Sequence, residues 1–99
     1  MLLGKVTGTL VSTVKNRKIV GNTIKVVEII DLNGHSLGSY EIAADTVGSK
    51  VGDYVITVKS SSARMTKMTE DKPIDNSIIA IVDIIVDNGK TVYDASQSI

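Results

Sequence analysis

The chain has 99 residues, enough for one domain, and at this size about 60–70% of the unfolded surface is buried on folding. Eleven basic and eleven acidic side chains cancel to a formal net charge of zero, which argues against steering toward nucleic acid or an anionic membrane. There is no cysteine and a single histidine, so disulfides, Cys-ligated metals and the ordinary zinc sites are excluded.

In chain order, residues 2–14 (LLGKVTGTLVSTV) read as a long first strand. Val6, Leu10 and Val14 share one face, with Gly4 and Gly8 between them. Glycines inside a strand mark bends or the close approach of another backbone, which a small barrel needs to turn its corners. Residues 15–22 (KNRKIVGN) are a basic connection, read as solvated or as touching the acidic rim of a neighbour. Residues 24–30 (IKVVEII) form a second strand, and Asp31-Leu32-Asn33-Gly34 is a turn. His35 follows it in a polar setting and is assigned no chemistry. Tyr40, Ile42 and Ala44 lie on one face of a third, shorter strand. Residues 45–53 (DTVGSKVGD) are a glycine-punctuated loop, and residues 54–59 (YVITVK) a fourth strand.

Residues 60–68 (SSSARMTKM) change character. A serine cap and good helix formers predict a short α-helix there, and Pro73 restarts the chain as extended. In residues 73–93, Ile78, Ala80, Val82, Ile84 and Val86 form an apolar row at a spacing of two. The alternate row is Ile79, Ile81, Asp83, Ile85 and Asp87. β-Branched residues at this density favour strand. Asp87-Asn88-Gly89 offers the positive-φ residues of a tight hairpin, with Thr91, Val92 and Tyr93 returning as its partner strand. Residues 95–99 are expected to be a loose tail. The pattern, five or six strands with turns at regular spacing and one short α-helix between the fourth and fifth, predicts an all-β fold: a small barrel with that helix closing one open end and a C-terminal hairpin.

Apolar content is 42%, with no Phe, no Trp and only three Tyr, so the core is aliphatic. No nucleophile elbow or phosphate-binding loop is present: Ser60, Ser61 and Ser62 lack flanking glycines, and Gly48-Ser49-Lys50-Val51-Gly52 has the wrong spacing. Nothing in the residues brings Asp75 and Asp83 together as an acid–base pair. A barrel that binds single-stranded nucleic acid needs a basic groove and aromatic platforms, and this composition supplies neither, which leaves that function as the weaker alternative. No basic region followed by an apolar run suggests a signal peptide, and the longest apolar run, 78–86, is interrupted by Asp83 and too short to span a bilayer. A soluble, intracellular protein without cofactor, nucleic-acid partner or membrane partner is therefore expected. What remains is more apolar surface than one small barrel can bury.

Several segments, taken in order, resemble the EutN/CcmL family of bacterial microcompartment shell vertex proteins. They are Met1-Leu2-Leu3-Gly4-Lys5-Val6-Thr7-Gly8, Ala44-Asp45-Thr46-Val47-Gly48, Val51-Gly52-Asp53-Tyr54-Val55, Ser61-Ser62-Ala63-Arg64, Pro73-Ile74-Asp75, Ile81-Val82-Asp83 and Val92-Tyr93. Lys59-Ser60 departs from the glycine that relatives often place before the serine pair. The resemblance spans residues 1–99 as a single vertex domain. It implies a five-stranded β-barrel of oligonucleotide-binding-like topology flanked by a short α-helix, and a structural, non-catalytic homopentamer at the fivefold corners of a shell whose facets are hexameric shell proteins, inside the cytoplasm. Packing surfaces are then the function. The expected subunit interface or pore residues are Ser60, Ser61, Ser62, Ala63 and Arg64, together with the outward row Ile79, Ile81, Asp83 and Ile85. Val82 is expected to face the barrel core, and residues 15–18 and 33–37 to lie on the rim.

Overall fold

The computed structural model of the chain describes residues 1–11, 23–59 and 76–97. Among these described residues seven strands follow in order: β1 (Leu2–Leu10), β2 (Thr23–Ile30), β3 (Ser36–Asp45), β4 (Tyr54–Lys59), β5 (Asn76–Val82), β6 (Ile84–Asp87) and β7 (Lys90–Asp94). The first five close into a barrel in the order β1-β2-β3-β5-β4, while β6 and β7 make a separate two-stranded sheet. All barrel pairs are antiparallel except β3–β5, which runs parallel. The predicted barrel and C-terminal hairpin are both present.

The core is aliphatic, as the composition requires. Val6, Val27, Ile29, Ala43, Val55 and Ile78 form one buried cluster, with at least one residue from each barrel strand. Gly4 shows what the strand glycines do. A β-carbon there would collide with the Val27 side chain and come within 3.0 Å of the Glu28 carbonyl oxygen. The absent side chain lets β1 and β2 approach closely in the barrel wall. A register shift between Val6 and Gly8 bends β1. The Val6 N–H donates to the Asp53 carbonyl at 2.9 Å, and the Val6 carbonyl accepts from the Gly52 N–H at 2.8 Å. The 45–53 loop is thereby tied to the bend in β1.

Several expectations are corrected. Strand β1 ends at Leu10 rather than running to Val14; residues 12–14 lie outside the described residues. Strand β3, expected to be shorter, is the longest of the described strands at ten residues. Its first half carries Gly38 and polar residues that dilute the strand signal, yet β2 pairs with it as far as Ser36. The apolar row of residues 78–86 is not one strand. It breaks at Asp83, where the chain leaves the barrel and begins the hairpin. Part of the expected loose tail is ordered too: Ala95–Gln97 is a 3-10 turn, and the Ala95 N–H donates to the Asp83 carbonyl at 2.8 Å. Asp94 caps that turn by accepting from both the backbone N–H and the hydroxyl of Ser96. The α-helix predicted over residues 60–68 and the basic connection of residues 15–22 fall on positions outside the described residues.

Candidate functional site

Directly paired residues of neighbouring strands share a face. Strand β5 is therefore read from its partners. Ile78 stands opposite Thr57, and both are buried. A register shift between Ile56 and Thr57 then makes Ile79 the extra residue of a bulge, and Ile79 is 45% exposed. Beyond it the phase has changed. Ala80 pairs with Ile56, Ile81 with Val55 and Val82 with Tyr54. Val82 thus sits on the outer face with Tyr54 and Ile56, which corrects the expectation that it faces the core. Ile81 shares the inward row of Val55 and still leaves 37% of its surface exposed.

The outer face so formed is one wall of an open apolar groove of about 470 Å³. Leu3, Ile56 and Val82 line it from the barrel, Leu32 from the β2–β3 turn, and Ile84, Ile85 and Val86 from the hairpin, with Met1 and Leu2 completing it. Ile85 is half-buried, while Ile84 and Val86 are 56% and 61% exposed. Of the expected interface residues, the structure places only Ile85 in this groove. Ile79 is exposed at the β5 bulge, and Asp83 is exposed where barrel and hairpin join. Ser60, Ser61, Ser62, Ala63 and Arg64 lie outside the described residues, as do residues 15–18. Sequence reading missed Leu3, Ile56 and Leu32 as groove residues. An apolar residue at a turn tip, Leu32, was the available signal.

The hairpin turns through Asn88 at φ 56° and Gly89 at φ 77°. Two consecutive positive-φ residues are what a two-residue hairpin of matching twist needs, as predicted from Asp87-Asn88-Gly89. Ile85 pairs with Tyr93, so that face of the hairpin turns toward the barrel. There the Tyr93 ring stacks on Tyr54, with centroids 3.8 Å apart and planes inclined by 7°. Burial pushes the Tyr93 phenol up from its ordinary value, and the nearby Tyr54, Asp53 and Asp83 add to the rise. Tyr54 is held from a second side. A β-carbon at Gly34 would lie 2.5 Å from its hydroxyl oxygen.

The turn that carries Leu32 and Gly34 is built by Asp31. Its Oδ1 accepts from the backbone N–H groups of Asn33 at 2.8 Å and His35 at 3.0 Å. The His35 backbone N–H is the main reason the Asp31 carboxyl titrates below its usual range. His35 Nδ1 also lies 3.6 Å from Asp31 Oδ2, on an exposed side chain. Tyr40, exposed on the outer face of β3, donates its hydroxyl proton to Glu28 Oε2 at 3.2 Å, which raises the Tyr40 pKa.

At the far end of β3 lies a buried polar lock. Lys25 pairs with Ala43, on the inward row of β2. Its Nζ donates to the Ser49 carbonyl at 2.9 Å and lies 3.7 Å from Asp45 Oδ2. The two side chains are only 11% and 3% exposed. Asp45 also accepts from the backbone N–H groups of Val47, Gly48 and Ser49 and from the Ser49 hydroxyl. A buried carboxylate with this many donors, beside a cation, satisfies the condition under which burying charge is tolerable. This arrangement fixes a loop. Among the described residues no group of three or more His, Cys, Asp or Glu could hold a metal ion.

Comparison with known proteins gives four findings. The family model described as "Ethanolamine utilisation protein EutN/carboxysome" matches residues 1–83. The carboxysome shell vertex protein CcmL of Synechococcus elongatus is 38% identical over 97 residues, covering 98% of each chain. Among solved structures, Gloeobacter violaceus CcmL superposes with a TM-score of 0.86 at 33% identity, over 98% of this chain and 100% of that one. The GrpN pentameric microcompartment shell protein from Rhodospirillum rubrum superposes with a TM-score of 0.75 at 38% identity, over 88% of this chain and 99% of that one.

Proposed function

Because the chain belongs to the EutN/CcmL family, we propose that it is a structural component of a bacterial microcompartment shell, acting as a homopentamer that caps the fivefold vertices. The whole chain, residues 1–99, works as one unit, and its chemistry is packing rather than catalysis. The observation that carries this reading is uncovered apolar surface. The groove beneath the hairpin is open, and Ile84 and Val86 project from a sheet of only two strands. A two-stranded sheet is marginal in water by itself, and apolar surface of this kind marks a contact site. Zero net charge lowers the repulsion between copies that such a contact must overcome.

A relative described in its own name as pentameric covers nearly all of its length with this fold, which supports five copies in a ring. In a closed ring each subunit uses two different patches, one meeting the other. The groove and the hairpin form one patch; Ile79 and Ile81 are further exposed apolar residues on β5. A flat sheet of hexagonal tiles cannot close, and pentagonal units at its corners introduce the curvature that lets it do so. Hexameric shell proteins are therefore the outer partners, and the exposed turn of residues 33–37 is a rim element. The test is electron microscopy of shells assembled from hexameric shell proteins with and without this chain. Closed polyhedra only when the chain is present support the proposal; identical open sheets or tubes in both samples contradict it.

A further inference from the structure

The hairpin follows directly from the last strand of the barrel. Among the described residues they share no strand ladder. The chain leaves the barrel at Asp83, and the Ala95 N–H bonds back to the Asp83 carbonyl. The segment between is therefore a closed arm attached at its base. An arm held at one point can pivot unless a second point fixes its angle. The described residues supply one specific candidate: the parallel stack of Tyr93, from the arm, on Tyr54, from the barrel. Tyr54 is a firm anchor. Its backbone pairs with Lys5 of β1 and Val82 of β5, and its hydroxyl abuts Gly34, whose φ of 85° keeps the turn free of a side chain there.

We infer that the Tyr54–Tyr93 stack is a latch that sets the angle of the β6–β7 arm on the barrel, and so the shape of the apolar groove offered to a neighbouring copy. This rests on the vertex reading for the identity of the neighbour, but not for the latch itself. Tyr93 is a positioning residue: it stacks on the barrel's Tyr54, while Ile84 and Val86 line the open groove with more than half of their surface exposed. The latch acts through ring contact, since stacked aromatic rings are favourable beyond the area they bury. A phenylalanine ring keeps the stack and gives up only the phenol oxygen's contact with the Tyr54 backbone, whereas alanine would release the arm.

The chain has no Trp and no Phe, so its near-ultraviolet circular dichroism comes from three tyrosines alone. The experiment compares the parent protein with Tyr93→Phe and Tyr93→Ala by that spectrum, by amide hydrogen exchange resolved along the chain, and by native mass spectrometry. In Tyr93→Ala the coupled tyrosine signal should vanish. Amides of β6 and β7 should exchange about tenfold faster or more, while those of β1, β2 and β4 keep their protection. Tyr93→Phe should keep the arm protected, and only Tyr93→Ala should lose the ring. Unchanged arm protection in Tyr93→Ala overturns the latch, as does loss of protection in arm and barrel together. If the parent forms no ring while the arm is still released in Tyr93→Ala, the latch stands and the vertex reading fails.

Discussion

Asp45 illustrates how much one side chain can organise. It receives four hydrogen bonds from the loop that follows it and lies against the ammonium of Lys25. Removing it takes away the acceptor for all four and leaves a buried cation without its counter-charge. Asp45→Ala should therefore cost about 3 kcal/mol or more. Lys25→Met leaves the carboxylate with its four donors and should cost only about 1–2 kcal/mol. Urea unfolding of the two variants checks the order. The same reasoning separates Ile78 from Val82. Ile78 is fully buried in the barrel, so Ile78→Ala should cost about 2–5 kcal/mol. Val82 is half-buried in the groove, and Val82→Ala should shift the unfolding midpoint far less. Both outcomes depend on the bulge in β5, which the sequence could not reveal. The spacing of two runs unbroken from Ile78 through Val86. The phase change comes from the register against β4, a partner remote along the chain. The Lys25–Asp45 lock was hidden for the same reason, since only the pairing of β2 with β3 brings these residues together.

At the level of elements, what was legible had a local cause. Strand β4 matches its predicted bounds, because its β-branched alternation is bracketed by a glycine loop and serines. The hairpin was legible from Asn88-Gly89, since few other pairs accept two positive φ values in succession. Placing a β-carbon at Gly89 should therefore strain the turn. Gly89→Ala is expected to cost about 1 kcal/mol or more, seen as faster amide exchange confined to β6 and β7. Alkaline pH offers a second probe of the arm. Burial raises the Tyr93 pKa above the value of the unfolded chain, so its contribution is complete below the unfolded phenol's pKa and is lost as pH rises through the folded one. Ultraviolet titration of the phenolates should show late ionisation of both Tyr40 and Tyr93, and the Tyr93 share alone should disappear in Tyr93→Phe. Arm amides should lose protection in that same pH range, before the barrel unfolds. A Tyr93 phenol ionising with free tyrosine would contradict its burial.

The whole molecule is a barrel that satisfies itself and an arm that does not. The barrel closes its hydrogen-bonding edges and buries an aliphatic cluster, so it can stay folded when its outer surface changes. The arm and groove expose the apolar surface that the proposed ring covers. Ile84→Lys should place a charge in that contact and abolish association, with the far-ultraviolet circular dichroism of the barrel unchanged. Were it to unfold the chain instead, Ile84 would belong to the monomer's own core. The ring itself is the most direct test, because a vertex without one has no means of closing a shell. Native mass spectrometry of the unmodified protein at micromolar concentration reads it in one spectrum. A particle of about 52 kDa, five times the 10.5 kDa chain, is the predicted result; a monomer at 10.5 kDa, or a ring of any other copy number, would contradict the account.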